Sequence, residues 1–282
     1  MIRSKELAAE RETMATMVEL TSAFEGIASA HIAQIREQVL MSQQFFADLW
    51  RIYTQLRVDG LFRYGRGDDH KTNPKELLIL VTSEGSFSGD IDQRVVNDVT
   101  KIYDQSKHDV LIIGHHGATM LSQKRIPFIR SFKTPERDLN INTSPIVSEV
   151  QNYASTIVYY QRYNSLMSQS VESIHLSRVV MEMGNVVEAG KEVINEKTYI
   201  FEPNSYAVAG HLERSMMQIS LSQVILESKL AQYASRFRAM SIAKDRANET
   251  LTEVSLMYNR SHRHEKDERL KEVLNGLRKA AA

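Results

Sequence analysis

From Leu212 to Tyr258, apolar residues return in alternating steps of four and three: Leu212, Met216, Ile219, Leu226, Leu230, Tyr233, Phe237, Met240, Ala247, Leu251, Val254 and Tyr258. Only Gln223 and Lys244 interrupt the series. Such a heptad seam marks one face of a helix, and sustained this far it demands a helical partner. The other end of the chain offers one: Ala28, Ile32, Ile35, Val39, Ser42, Phe46, Leu49, Tyr53 and Leu56. An upstream set, Met14, Met17, Thr21 and Phe24, joins it after one extra step of four, a spacing that reads as a stutter and a local unwinding. Helix breakers avoid both ends. Met1 to Asp59 holds no Pro and only Gly26, and Tyr206 to Ala282 holds no Pro and only Gly210 and Gly276. At ~1.5 Å per residue each helix would be roughly 80–100 Å long, and neither is stable in water with its stripe exposed. The simplest closure is an antiparallel pairing of the two.

The centre differs. It holds all five Pro and nine of the twelve Gly. ELLILVTS reads as a buried strand, and DIDQRVVNDVTKIYDQS has helical spacing at Ile91, Val95, Val99 and Ile102. HDVLIIG is a second strand, and SPIVSEVQNYASTI reads as helical. STIVYYQRY, SVESIHLSRVVM and KTYIFEP read as further strands. Strands alternating with helices argue an open α/β sheet, parallel at its centre. The expected fold class is therefore mixed α and β: a long antiparallel coiled coil of residues 1–59 and 206–282, with a Rossmann-like α/β domain, 74–203, inserted between them.

Composition narrows the chemistry. There is no cysteine, so disulfides, thiolate metal sites and a Cys nucleophile are excluded. Lys plus Arg and Asp plus Glu number 35 each, which gives no global attraction to nucleic acid. No apolar run reaches the ~18 residues of a membrane span. MIRSKELAAERETM has no apolar signal core, which argues against secretion or organelle import.

TSEGSFSGD, after the first strand, invites a nucleotide. A phosphate loop needs G-x-x-x-x-G-K-[ST], but Gly85 and Gly89 are four apart and Asp90 stands where a Lys is wanted. A plain strand-to-helix turn, with Asp90 or Ser88 capping the helix, fits better. His115 and His116, read as extended chain, point to opposite faces and form an exposed loop pair. HEKDE lacks the second His of a zinc-protease motif, and no G-x-S-x-G elbow exists. Arg236, Arg238, Lys244, Arg246, Arg260, Arg263, Lys266 and Arg269 read as a solvated or salt-bridged face, since interleaved acids disfavour a nucleic-acid stripe. Trp50 reads as packing at the helix base. No catalytic, cofactor or metal residues are expected.

Several stretches together resemble the gamma subunit of rotary F-type ATP synthases, the central rotor stalk. ILVTSEGSFSG fills the place of the family's Ser-Asp-Arg-Gly-Leu-Cys-Gly-like turn, and IIGHHG followed by RIP that of its Ile-Gly-Arg-Lys-Gly-like run. YIFEP, ILESKLAQYASRFRAM and AKDRANETLTEVSLMYNR lie closest to the family's wording. The resemblance implies a non-catalytic subunit of a proton- or sodium-translocating ATP synthase. Its partners would be the alpha and beta subunits of the catalytic ring, the epsilon subunit and the membrane c-ring. Membrane association would come through partners only, at the cytoplasmic face of a bacterial membrane, with the mitochondrial matrix as the alternative.

The sequence also departs from that family. Its Lys- and Met-rich stretch is replaced by Thr21–Ala28, which contains Phe24 and Glu25. After Asn259 and Arg260, the polar residues that meet the beta catch loops are replaced: His262, Arg263, Asp267 and Arg269 stand in the Arg, Gln, Thr and Glu places. Leu270, Val273, Leu274 and Leu277 then restore an apolar stripe. The resemblance makes Phe24, Glu25, Asn259, Arg260, His262, Arg263, Asp267 and Arg269 candidate beta contacts of a divergent gamma. The alternatives are a rotor of a specialised F-type-like ATPase, a coiled-coil scaffold with an α/β module, and a small-molecule α/β enzyme with helical arms.

Overall fold

A computed structural model of the chain describes residues 4–55, 73–85, 87–135, 141–176, 202 and 205–280. The elements are α1 (Ser4–Gln55), β1 (Asn73–Val81), α2 (Ile91–Ile102), β2 (His108–Ile113), α3 (His115–Gln123), β3 (Arg130–Phe132), α4 (Ser144–Val150), β4 (Tyr153–Tyr163), β5 (Gln169–His175) and α5 (Ser205–Ala280). The 52 and 76 residues of α1 and α5 correspond to about 78 Å and about 114 Å of helix. The chain forms two compact units, Met1–Ala28 with Phe237–Ala282, and Ser29–Arg236.

In the second unit the strands form one sheet in the order β3-β2-β1-β4-β5. β1 pairs in parallel with β2 and β4, and β2 with β3, while β5 runs antiparallel to β4 at the edge. β1 is apolar at every position from Leu77 to Val81 because both faces of the sheet are covered. Leu77, Ile79 and Val81 pack with Ile146 and Val147 of α4 and with Met217, Leu221 and Ile225 of α5. Leu78 and Leu80 point the other way, onto Val95, Val96 and Val99 of α2 and Leu121 of α3. A third cluster joins Ile35 and Val39 of α1 to Leu226 and Leu230 of α5.

One expectation needs correction here, one strand was not foreseen, and two readings are described only in part or not at all. The helix expected through SPIVSEVQNYASTI stops at Val150, because the β-branched Thr156, Ile157 and Val158 pair with β1 instead. β3 has no apolar run and was not anticipated; its three residues are ordered by pairing with Leu111–Ile113. The strand read over SVESIHLSRVVM is described as far as His175, and that read over KTYIFEP lies outside the described residues. So do the side chains of Phe46, Leu49, Trp50 and Tyr53.

In the first unit the buried face of α1 carries Leu7, Thr21 and Ala28, with Met14, Val18 and Glu25 half-buried. Met17 and Phe24 are 47% and 39% exposed. The spacing through Leu7, Met14, Val18, Thr21, Glu25 and Ala28 keeps the heptad without interruption, so there is no stutter. Hydrophobicity alone selects Met17 and Phe24; the seam instead takes their neighbours. The contacts to α5 follow the same repeat. The Ser4 amide donates to Glu265 Oε1 (3.2 Å), the Arg11 guanidinium lies 4.7 Å over the Tyr258 ring, and Lys244 Nζ is 2.5 Å from Glu25 Oε2. Steps of seven and fourteen up α1 match equal steps down α5.

At the end of β2, Gly114 adopts φ +105, and a Cβ there would lie 2.1 Å from the Thr82 carbonyl oxygen. Gly114→Ala should therefore lower the folding stability of this unit by on the order of 3 kcal/mol, seen as a lower urea midpoint. An unchanged midpoint would show that the β2–α3 corner relaxes freely.

Candidate functional site

The glycine turn lies between β1 and α2, and its polar groups are already engaged. The Ser83 amide, which a phosphate would need, donates to Asp92 Oδ1 (3.2 Å), and Ser83 Oγ donates to Asp92 Oδ2 (2.5 Å). Glu84 accepts the Thr134 amide. The Ser88 carbonyl accepts from Ser235 Oγ (2.6 Å) and Ser88 Oγ from Arg236 Nη2 (3.4 Å), so α5 clamps the turn. Gly89, at φ +66, brings the backbone close to Ser235, where a Cβ would come within 3.2 Å of the hydroxyl. The expected cap is absent: Asp90 occupies the N-cap position of α2, but its side chain makes no capping bond and pairs with Arg94 (2.7 Å).

The fully buried Asp92 carboxylate is a hub. Besides Ser83 it accepts Gln161 Nε2 (2.8 Å) and pairs with His116 Nδ1 (2.8 Å). Gln161 Oε1 in turn accepts from Ser228 Oγ and from Gln232 Nε2 (3.3 Å) on α5. One polar network thus joins the end of β1, the first turns of α2 and α3, β4 and α5. Buried charge is tolerated when it is this fully hydrogen-bonded. His115 and His116 are consequently no exposed loop pair: they open α3, and His116 turns onto Asp92. The neighbouring Lys229, 5% exposed, donates to the Pro135 carbonyl (2.8 Å). The sequence signal for these residues was the polar set Ser228, Lys229, Gln232 and Ser235 inside a helix otherwise apolar on its buried side.

The candidate contact residues fall into two groups. Asn259, Arg260, Arg263, Asp267 and Arg269 are exposed on α5. His262 is half-buried and stacks on Tyr258, with 5.6 Å between rings and 9° between planes. Phe24 is on the outer side of α1, whereas Glu25 turns into the seam onto Lys244. The basic face expected along α5 therefore loses two members inward, Lys244 to Glu25 and Arg236 to Ser88. His264 pairs with Glu268 at 3.3 Å. Among the described residues no cluster of three or more His, Asp or Glu could hold a metal ion.

The Lys244 hydrogen bond holds the Glu25 carboxyl below the ordinary 4.5, against the opposing effect of burial. The same bond raises the Lys244 ammonium above 10.5. The lowered carboxyl contributes stability that is present above pH 4.5 and lost as pH falls through its folded value. The raised ammonium contributes stability present below pH 10.5 and lost as pH rises through its own. Thermal midpoints of the parent and E25Q should therefore differ most at neutral pH and converge in acid. A constant difference down to pH 2 would assign the effect of E25Q to packing.

A family model described as ATP synthase matches residues 3–278. The ATP synthase gamma chain of Geotalea daltonii is 23% identical over 278 residues, which cover 92% of each chain. A central stalk/c-ring structure of the Tetrahymena thermophila mitochondrial ATP synthase shares the fold at TM-score 0.57 and 17% identity, over 79% of this chain and 99% of that one. An OSCP/F1/c-ring structure of the Euglena gracilis mitochondrial enzyme does so at 0.56 and 13%, over 93% and 94%. Among the described residues no helix is long and apolar enough to cross a membrane. With residues 3–278 matched and its identity this low, the chain belongs to the ATP synthase family as a divergent gamma chain, the non-catalytic central-stalk subunit.

Proposed function

We propose that α1 and α5 wind together as an antiparallel coiled coil within a catalytic ring of three alpha and three beta subunits, and that the α/β part is the Rossmann-like foot of the rotor. The observation that carries the reading is the heptad-stepped set Ser4–Glu265, Arg11–Tyr258 and Glu25–Lys244, in which position rises along one helix as it falls along the other. The parallel centre of the sheet, covered by helices on both faces, supports the Rossmann-like foot. The domains are then residues 1–59 and 206–282 for the shaft and 74–203 for the foot. The foot takes the epsilon subunit and the membrane c-ring as partners, and the chain is peripheral to the membrane on its cytoplasmic face.

A rotor of this kind transmits force without an active site. Its asymmetric surface meets the three beta subunits differently, so each rotor angle favours a different nucleotide state in each. Phe24 and Glu25 on α1, and Asn259, Arg260, His262, Arg263, Asp267 and Arg269 on α5, are the proposed beta contacts. Leu270, Val273, Leu274 and Leu277 follow at helical spacing and are all more than half exposed, which suits an apolar sleeve around the shaft end. The replaced catch residues favour a second reading, a specialised F-type-like rotary ATPase whose beta loops complement a charged tip.

Tagged and purified from its source, the chain should bring alpha and beta chains at about three copies each. Recovery as a compact monomer or homo-oligomer would sink the reading. In the reconstituted ring, truncation after Tyr258 should lower coupled ATPase turnover by roughly tenfold, the scale of one lost anchor contact. Unchanged turnover would remove residues 259–282 from the coupling path.

A further inference from the structure

We propose that the Glu25–Lys244 pair sets the register in which the two helical segments of the first unit pair, by making each pairing one heptad away bury two unmatched charges. The inference rests on contacts within that unit and does not depend on the rotor reading.

Apart from this pair the seam is nearly degenerate. α1 contributes Leu7, Met14, Val18, Thr21 and Ala28, and α5 contributes Phe237, Met240, Ala247, Leu251, Val254 and Tyr258. The hydrophobic effect is non-directional, so apolar burial alone discriminates poorly among registers one heptad apart. The charged pair does discriminate. Between Val18 and Ala28 on α1 and between Phe237 and Tyr258 on α5 each series has one charged position; the two are of opposite sign, and they meet at 2.5 Å with 16% and 29% of their side chains exposed. A slip of one heptad in one sense sets Glu25 against Phe237 and Lys244 against Val18. A slip in the other sense sets Glu25 against Leu251 and, although it brings Arg11 opposite Glu265, still parts Glu25 from Lys244. Either leaves two partly buried charges without partners, whereas the observed register leaves none.

The remaining contacts of the seam do not supply this selection. The Ser4 amide is a single neutral donor to Glu265, and the Arg11 guanidinium lies over an aromatic ring that any nearby cation could use. The Glu25–Lys244 pair also explains why Lys244 can interrupt an otherwise apolar series and why the upstream seam of α1 runs through Glu25 rather than Phe24.

The chain has no cysteine, so an engineered pair is the sole source of a disulfide. Val18 and Leu251 lie one heptad from both Arg11–Tyr258 and Glu25–Lys244, so V18C/L251C reports the observed register. V18C/Y258C and R11C/L251C report the two slipped ones. In the full-length chain under mild oxidation, the parent should cross-link at 18–251 alone. With E25L/K244L, where leucines keep the seam apolar and the helices paired, the slipped cross-links should rise by on the order of tenfold. The exchanged pair, E25K/K244E, should return cross-linking to 18–251. E25M/K244M gives the same reading with a more adaptable side chain should the leucine variant lose its helical circular dichroism. Cross-linking only at 18–251 in the folded apolar variants would overturn the proposal and place register selection elsewhere in the chain. So would slipped cross-links in E25K/K244E as abundant as in E25L/K244L.

Discussion

A helix of 76 residues with an apolar stripe has no stable existence in water by itself. α5 therefore depends on what covers its stripe, and the cover changes along its length. Between Met217 and Leu230 it is the sheet, α4 and the Ile35–Val39 stretch of α1. From Phe237 to Glu265 it is the first residues of α1, through a heptad seam. One continuous helix thus satisfies two kinds of partner. Its composition follows them: small and hydrogen-bonding residues such as Ser228, Gln232 and Ser235 lie against the α/β unit, and heptad spacing with a single cation belongs to the seam.

Much of this was legible in the sequence because two periods of apolar residues differ so plainly. The heptads announced the two long helices. ELLILV and VLII announced buried parallel strands, since only a sheet covered on both faces makes every strand position apolar. The errors share a cause. Phe24 is more hydrophobic than Glu25, so a scale prefers it for the seam, yet the Glu25 carboxylate has the Lys244 cation waiting across the seam. His115 and His116 looked like an exposed pair because the buried carboxylate that engages one of them lies 24 positions earlier in the sequence. Tertiary pairing also cut short the helix expected after Ser144, where local spacing was ambiguous between the two periods.

The candidate contact residues were legible only through the family resemblance. Nothing in the local pattern of SHRHEKDER marks a partner. The structure adds which of these side chains face outward and which are engaged by their own helix or its neighbour. His262 is stacked on Tyr258 and His264 is paired with Glu268, while Arg260, Arg263, Lys266, Asp267 and Arg269 are exposed and carry the charge that the tip offers outward.

The buried polar network around Asp92 has a mechanical consequence. Oily surfaces in contact resist being pulled apart but offer little resistance to sliding, because one apolar contact replaces another at nearly the same energy. Hydrogen bonds are directional and fail within about an ångström of displacement. By fastening Ser228 and Gln232 to Gln161, and Ser235 to the Ser88 carbonyl, the α/β unit adds shear stiffness to its grip on α5. In a part whose work is to carry load along a helix, polar side chains at that interface act as keys in a keyway, and apolar ones as the filling around them.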